Sequence, residues 1–411
     1  MQVIGERAML ASGTVERYYR DTPLMIIGEG TNEIQRTIIA RNLVDRFGER
    51  ATALVSHDAE APERRQMVLA VRQLVEKDVA PLAHDHEQAG RSAAVVLPRL
   101  ADLGVLAAPL SVDDGGLGLP AGACALLLEE IARGWGSLAA LTASHLVAVR
   151  ALGRHGAALG VRAMLGALGR GETRAATSLG GEVHVRRVGR DVVLDGESAL
   201  VDGAAGADLL VIAAGDGEDV TLLAVPTATA GVRIAAPDGV LGLRSAEPAH
   251  VTFAGVRLPA AGSVFPAAAV DDTYGFAHLA VAAIGVGIAQ AAFEAALRYA
   301  QQRSAFGKPI SQHQAIQLKL ADMATAIAAA RMLVTDAGDD PVRAAIAKLQ
   351  ASSTAVRVTL ESMRTHGGYG YTTEFPVERY YRDAARLLHS PMPEGEARAA
   401  TATRLRARDL D

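Results

Sequence analysis

Near residue 172 the spacing of apolar residues changes from helical to alternating, and near residue 260 it changes back; this switch sets the plan of the whole chain. Before it, Gln66 to Val79 places Val68, Val71, Val75 and Val79 three to four residues apart. Ala121 to Arg150 then carries Leu126, Leu127, Ile131, Leu138 and Leu141 in one long apolar series, the signature of helices with a buried stripe. The glycines of Asp113-Asp114-Gly115-Gly116-Leu117-Gly118-Leu119-Pro120 predict a tight loop between them. Within the altered region, Val192-Val193-Leu194, Leu209 to Ile212, Leu222 to Val225, Val232-Arg233-Ile234 and His250 to Phe253 are short β-type runs punctuated by Gly and Pro. From about residue 267 alanine-rich helical segments return, including Val342 to Gln350. The expected fold class is multi-domain α+β. A front segment (1–50) and a polar linker (51–62) precede a helical domain (63–171), a β domain (172–262) and a second helical domain (263–411).

The front segment contains a copy of something found at the back. Val15 to Asp21 and Val377 to Asp383 both read VERYYRD, a seven-residue identity some 360 positions apart that chance does not produce. The late copy follows an intact glycine loop, His366-Gly367-Gly368-Tyr369-Gly370-Tyr371, where the early copy has Ile4-Gly5-Glu6-Arg7-Ala8-Met9. The early copy leads into Glu29-Gly30-Thr31-Asn32-Glu33-Ile34-Gln35-Arg36, where the late copy runs into Pro391-Met392-Pro393-Glu394-Gly395-Glu396. Thr31 or Asn32 suits an N-cap, and Glu33 falls in the first turn, where the helix dipole favours an anion. A helix of about fourteen residues is marginal alone and must dock on other structure.

Composition narrows the function. Half of the 411 residues are hydrophobic, enough for several cores. The net charge is −5 with basic residues dispersed, so nucleic acid is not an expected partner. A single cysteine, Cys124, excludes an internal disulfide and a thiolate metal site; no metal is expected, and a reducing cytoplasm is the natural location. The first residues do not read as a signal peptide. The apolar stretch Leu279 to Phe293 is shorter than the ~20 residues a bilayer requires, so a buried bundle helix is expected rather than a membrane span.

In order along the chain, GGLGLP, LLLEEIARG, the β region, LGLR, VTFAGVRLPA, RSAFGKPISQHQAIQLKLADMA and HGGYGYTTEFPVERYYRD resemble the acyl-CoA dehydrogenase family over about residues 62 to 383. The front segment resembles that family's C-terminal tail. The resemblance implies an N-terminal helical domain, a middle β-barrel and a C-terminal four-helix bundle. It also implies FAD, oxidation of acyl thioesters to enoyl thioesters, an electron-acceptor flavoprotein or oxygen, and a homodimer or homotetramer. A proton beside a thioester carbonyl leaves only to a positioned carboxylate, while the β-hydride goes to the flavin. The family's tail motif EGT places that base on Glu29; the alternative is that Glu29 merely serves the following helix N-terminus. A second family position for the base falls on Ala277 or His278, neither of them a carboxylate.

The resemblance assigns Arg303, Phe306 and Gln314 to the FAD pyrophosphate and adenine side, a guanidinium being the fitting donor for a diphosphate. It assigns Gly367 and Gly368 to a loop approaching a neighbouring subunit's cofactor. Thr31, Thr177 and Asp202 are further candidates on the cofactor side, and His278 and Arg244 on the substrate side. Around the flavin ring the chain departs from the family pattern. Ala176-Thr177-Ser178-Leu179-Gly180-Gly181-Glu182 replaces a longer covering loop. Leu200 and Asp202 stand where relatives carry Trp and Thr, and a carboxylate there would oppose negative charge on a reduced ring. Three functions remain open: an acyl-thioester dehydrogenase using coenzyme A or carrier-protein substrates, an oxygenase or oxidase on the same fold, and a catalytically impaired subunit of a mixed assembly. The front segment is either a working replacement tail or the remnant of a fused upstream relative.

Overall fold

Trp135 breaks the long apolar series between Ala121 and Arg150 into two helices. In the computed structural model, which describes residues 8, 14–47, 57, 60–216 and 219–407, its backbone is extended (φ −154°, ψ 105°). Its indole Nε1 donates to the buried carboxylate of Glu87 at 2.8 Å. The long apolar series gives no sign of this break, at which the indole reaches its buried polar partner.

The front segment forms α1 (Thr14–Ile27) and α2 (Asn32–Phe47). The first helical domain comprises α3 (Pro62–Leu74), α4 (Ala80–Gln88), α5 (Leu97–Asp102), α6 (Ala121–Gly134), α7 (Gly136–His155) and α8 (Arg162–Gly169). One turn of π-helix, Val75–Val79, joins α3 to α4. Most of the expected linker, residues 51–56, 58 and 59, lies outside the described residues.

The β domain contains β1 (Ala175–Ser178), β2 (Glu182–Val188), β3 (Asp191–Val201), β4 (Leu209–Asp216), β5 (Asp219–Pro226), β6 (Val232–Ala235) and β7 (Ala249–Pro259). These make a three-stranded sheet ordered β1-β4-β5 and a four-stranded antiparallel sheet ordered β2-β3-β7-β6. Ala176, Leu194, Leu210, Ile212, Val225, Val251 and Phe253 form one apolar core shared by the two sheets.

The second helical domain begins with α9 (Ala268–Gln302), whose 35 residues span about 52 Å. A small hairpin, β8 (Ser304–Ala305) and β9 (Lys308–Pro309), leads to α10 (Gln314–Ala337), α11 (Pro341–His366), α12 (Val377–Leu387) and α13 (Glu394–Ala407). α6, α7, α10 and α11 all pack on α9. Close approach of α6 depends on Gly287, where an added Cβ would lie 2.3 Å from the Glu129 carbonyl oxygen. Leu279 to Phe293 lies inside this helix and is buried, as expected of a bundle core. Although α7 and α9 are long and apolar enough to cross a bilayer, they are buried within the protein. Cys124 is also buried, and burial pushes its thiol pKa up to about 12.

The two VERYYRD copies have opposite environments. In α12, Val377, Arg379 and Asp383 are buried, and Asp383 Oδ1 accepts the Leu243 N–H at 2.7 Å. No residue of α1 is buried, and Tyr18, Tyr19, Leu24, Met25, Ile26 and Ile27 are exposed. α2 docks on α10, with Leu43 and Val44 against the core and Arg36 Nε donating to Asp322 at 2.7 Å.

Candidate functional site

Where α7, β1, β3 and α9 converge, a cleft of about 290 Å³ opens; the connection from α12 to α13 forms its rim. The volume lies at the small end of ligand pockets. Ala140, Ala143, Val147, Ala277, Ala280, Val281, Ile284, Leu243 and Leu387 make one side apolar. On the other side the short turn after β1 is pinned in several places. The Thr177 N–H donates to Ser144 Oγ at 2.9 Å, and Thr177 Oγ1 donates to the Ser144 carbonyl at 2.7 Å. Ser198 Oγ donates to the Gly180 carbonyl at 2.9 Å, and the Tyr274 hydroxyl donates to that of Leu179 at 2.7 Å. The abbreviated turn is therefore a rigid wall.

Asp202 lies in this wall but is not an isolated charge. Arg386 Nη2, from α12, donates to its Oδ1 at 2.7 Å. Burial raises the Asp202 pKa and Arg386 acts against that rise. The carboxylate expected to oppose reduction of a ring in the cleft thus carries a cationic partner that offsets its charge.

His278 sits behind the wall formed by Ala277 and Ala280, and is only 2% exposed. Burial, then the neighbouring positive charges of Lys348 and Arg404, lower its pKa to about 3, so it is neutral. Among the described residues neither ring nitrogen has a partner. Arg244 is next to the cleft-lining Leu243 but is exposed. It helps line a separate polar cavity with His84, Glu87, Glu378 and Arg382. Neither residue borders the cleft.

Glu29 and Thr31 are exposed in the connection before α2. Glu29 has φ 52°, and its carbonyl accepts Gln35 Nε2 at 2.7 Å. α2 rests on α10, which contributes no residue to the cleft, so Glu29 stands outside the cleft of its own chain.

The remaining candidates gather at the opposite end of α9. Arg303, Gly367 and Gly368 line one open surface cavity there, together with Tyr299, His366 and Tyr369. Phe306 projects from the nearby hairpin, 96% exposed, and Gln314 opens α10 on the same side, also exposed. Gly367 has φ 62°, which favours glycine, whereas a Cβ on Gly370 would strike the Met363 carbonyl oxygen at 2.3 Å. Gly368 has neither constraint: its φ is ordinary and a Cβ would meet nothing within 4 Å. The bare backbone at Gly368 is suited to close approach by a group from outside the chain.

Along α9 the cleft reaches Ile284 and the Arg303–Gly368 surface begins at Tyr299, 15 residues and about 22 Å further on at the helical rise, so the two sites are separate cavities. The residues fit FAD in two groups: an apolar, ring-sized cleft, and an Arg303-bearing surface with bare backbone at Gly368.

Several contributors escaped the sequence reading. The rim residues His389, Ser390, Pro391 and Pro393 line the cleft, and Glu394 follows them directly. Arg386 neutralises Asp202. Lys348 occupies the buried α11 stripe with Ala344, Ala347, Ala351 and Ala355; a lone charge in such a row is the signal that would have found it.

The family model described as the acyl-CoA dehydrogenase C-terminal domain matches residues 1–44 and 269–388, and the N-terminal domain model matches 61–172. A probable acyl-CoA dehydrogenase of Bacillus subtilis is 33% identical over 79% of this chain and 93% of its own length. Butyryl-CoA dehydrogenase of Megasphaera elsdenii has a TM-score of 0.77 at 25% identity, covering 84% of this chain and 98% of its own. The structure of a glutaryl-CoA dehydrogenase of Mycobacterium smegmatis in complex with FADH2 has a TM-score of 0.77 at 21% identity, over 85% and 96% of the two chains.

Proposed function

Because the chain belongs to the acyl-CoA dehydrogenase family, we propose that it oxidises an acyl thioester, borne by coenzyme A or an acyl carrier protein, to the α,β-enoyl thioester. FAD is the family's cofactor and, when bound, supplies the acceptor for the β-hydride. The observation that carries the reading is the cleft, an apolar slot between α9 and the pinned Leu179–Gly181 turn, placed where a flat ring and an acyl group can stack out of water. Thr177 and Asp202 hold the ring side, and Arg386 keeps that wall close to neutral. Arg303, Phe306, Gln314, Gly367 and Gly368 would receive the dinucleotide end belonging to another copy's cleft. Electrons leave to an acceptor flavoprotein or to oxygen.

The α-proton goes to Glu29, which the motif Glu29-Gly30-Thr31 supports. Since Glu29 lies outside its own chain's cleft, it reaches the cleft of a second copy. The exposed apolar residues of α1, Leu24 to Ile27 above all, suit a segment that docks in an assembly. A second reading is favoured by one observation, that Glu394 directly follows the cleft-lining Pro393. Glu29→Gln and Glu394→Gln separate the two, since only the true base abolishes turnover while sparing bound FAD.

Anaerobic titration of the purified holoprotein with butyryl-CoA tests the function. Bleaching of the flavin absorbance is expected. A protein that binds no FAD, or a flavin that no acyl thioester reduces, would overturn the proposal and favour the impaired-subunit or the oxygenase reading respectively.

A further inference from the structure

The segment from Leu388 to Met392 is held at both ends by one buried ammonium. Lys348 Nζ donates to the Leu388 carbonyl at 3.2 Å and to the Met392 carbonyl at 3.3 Å. Lys348 is fully buried, although burial lowers its pKa only to about 8, leaving it charged at neutral pH. Ammonium-to-carbonyl bonds are charge-assisted and strong in such surroundings. Between the two anchor points lie His389, Ser390 and Pro391, which line the cleft; Pro393 adds a fourth rim contact. The rim abuts the shortened turn opposite, where a Cβ on Gly180 would lie 3.1 Å from the Pro391 carbonyl oxygen. Pro391 inside the segment and Pro393 just after it stiffen the backbone, and the clamp restrains it further.

We infer that Lys348 is a positioning residue that holds the rim Leu388–Pro393 closed over the cleft, and that this rim restricts the site to short acyl groups. The second half rests on the proposed thioester reaction. Volume sets this limit: a cleft of about 290 Å³ that must also take a flavin ring has little depth left for a chain. The rim and the pinned turn meet at Gly180 and Pro391, both of which line the cleft. Loss of the ammonium leaves the half-buried Leu388 and Met392 carbonyls without this donor, and the rim then swings out to hydrate them.

The test uses the full-length holoprotein as wild type, Lys348→Met and Lys348→Arg. Hydrogen exchange is measured on peptides covering Arg386 to Gly395, and kcat and KM are measured with butyryl-CoA and dodecanoyl-CoA. Lys348→Met is expected to speed exchange in this segment at least about tenfold, the factor one charge-assisted hydrogen bond commands, with distant peptides unchanged. It is expected to lower KM for the long substrate and raise it for the short one, with kcat for the short substrate changing less. Lys348→Arg retains a cation and is expected to restore most of the protection. Gly180→Ala, which presses on Pro391 from the other side, gives the same direction should Lys348→Met not fold. Unchanged exchange in Lys348→Met, or in Gly180→Ala where that variant stands in for it, overturns the clamp whatever the enzyme does. Faster exchange with an unchanged chain-length profile overturns the specificity half. A wild-type flavin that no acyl thioester reduces overturns the reaction and the specificity with it, while the exchange measurement still decides the clamp.

Discussion

Arg386 and Asp202 join α12 to the cleft wall: the guanidinium donates to the carboxylate at 2.7 Å across 184 residues of sequence. Both side chains are mostly buried, at 9% and 15% exposure. Removing one partner leaves the other charged and buried, which costs about 3 kcal/mol, whereas removing both costs far less. Arg386→Met is therefore expected to lower the unfolding free energy by about that amount and Asp202→Leu/Arg386→Met to recover most of it, as measured by urea denaturation.

A second buried pair makes stability depend on pH. Asp383 is enclosed near Glu87, and burial followed by the Glu87 charge pushes its pKa up to about 7. The folded state thus holds a proton that the unfolded chain releases near pH 4. This contribution is fully present below about pH 4 and is lost as pH rises through about 7. The melting temperature is expected to fall between about pH 5 and pH 8, other groups aside, and the slope over that window to flatten in Asp383→Asn, which mimics the protonated form and keeps an acceptor for the Leu243 N–H.

The glycine loop separates two roles by position. Gly370→Ala would drive a Cβ into the Met363 carbonyl and is expected to destabilise the fold by about 1–3 kcal/mol. Gly368→Ala meets nothing in its own chain, so its melting temperature without cofactor should match wild type. Its affinity for FAD should nonetheless drop, because the added methyl stands where a partner's cofactor would approach. A thermal melt with and without FAD reads both effects.

Cys124, buried and with its thiol pKa raised to about 12, is expected to resist iodoacetamide at neutral pH in the native protein and to react after unfolding. Mass spectrometry of the two samples checks this.

Much of the plan was legible in the sequence because it rests on local periodicity. β3 to β7 fall on the apolar runs read for them, and α9 on its alanine-rich stretch. β2, Glu182–Val188, is absent from the apolar runs because Glu182, His184 and Arg186 on one face and Arg187 on the other leave no continuous apolar stretch. The break at Trp135, whose indole bonds Glu87 48 residues away, leaves no mark on the apolar spacing. The cleft was legible only where motif residues line it, as Thr177 and Asp202 do. The Asp202–Arg386 pair and the Lys348 clamp depend on contacts between distant segments, which no periodicity reports. That α2 must dock was also foreseeable, since a short helix is marginal alone. Its choice of α10, which leaves Glu29 outside its own cleft, is a matter of competing surfaces and lies beyond any local pattern.

The central claim is tested most directly by product stoichiometry in a single anaerobic turnover. Holoprotein mixed with excess butyryl-CoA in the absence of oxygen and of any acceptor should yield one enoyl thioester per bound flavin, with the flavin fully reduced. Reduction of the flavin without enoyl product, or no reduction at all, would contradict the account.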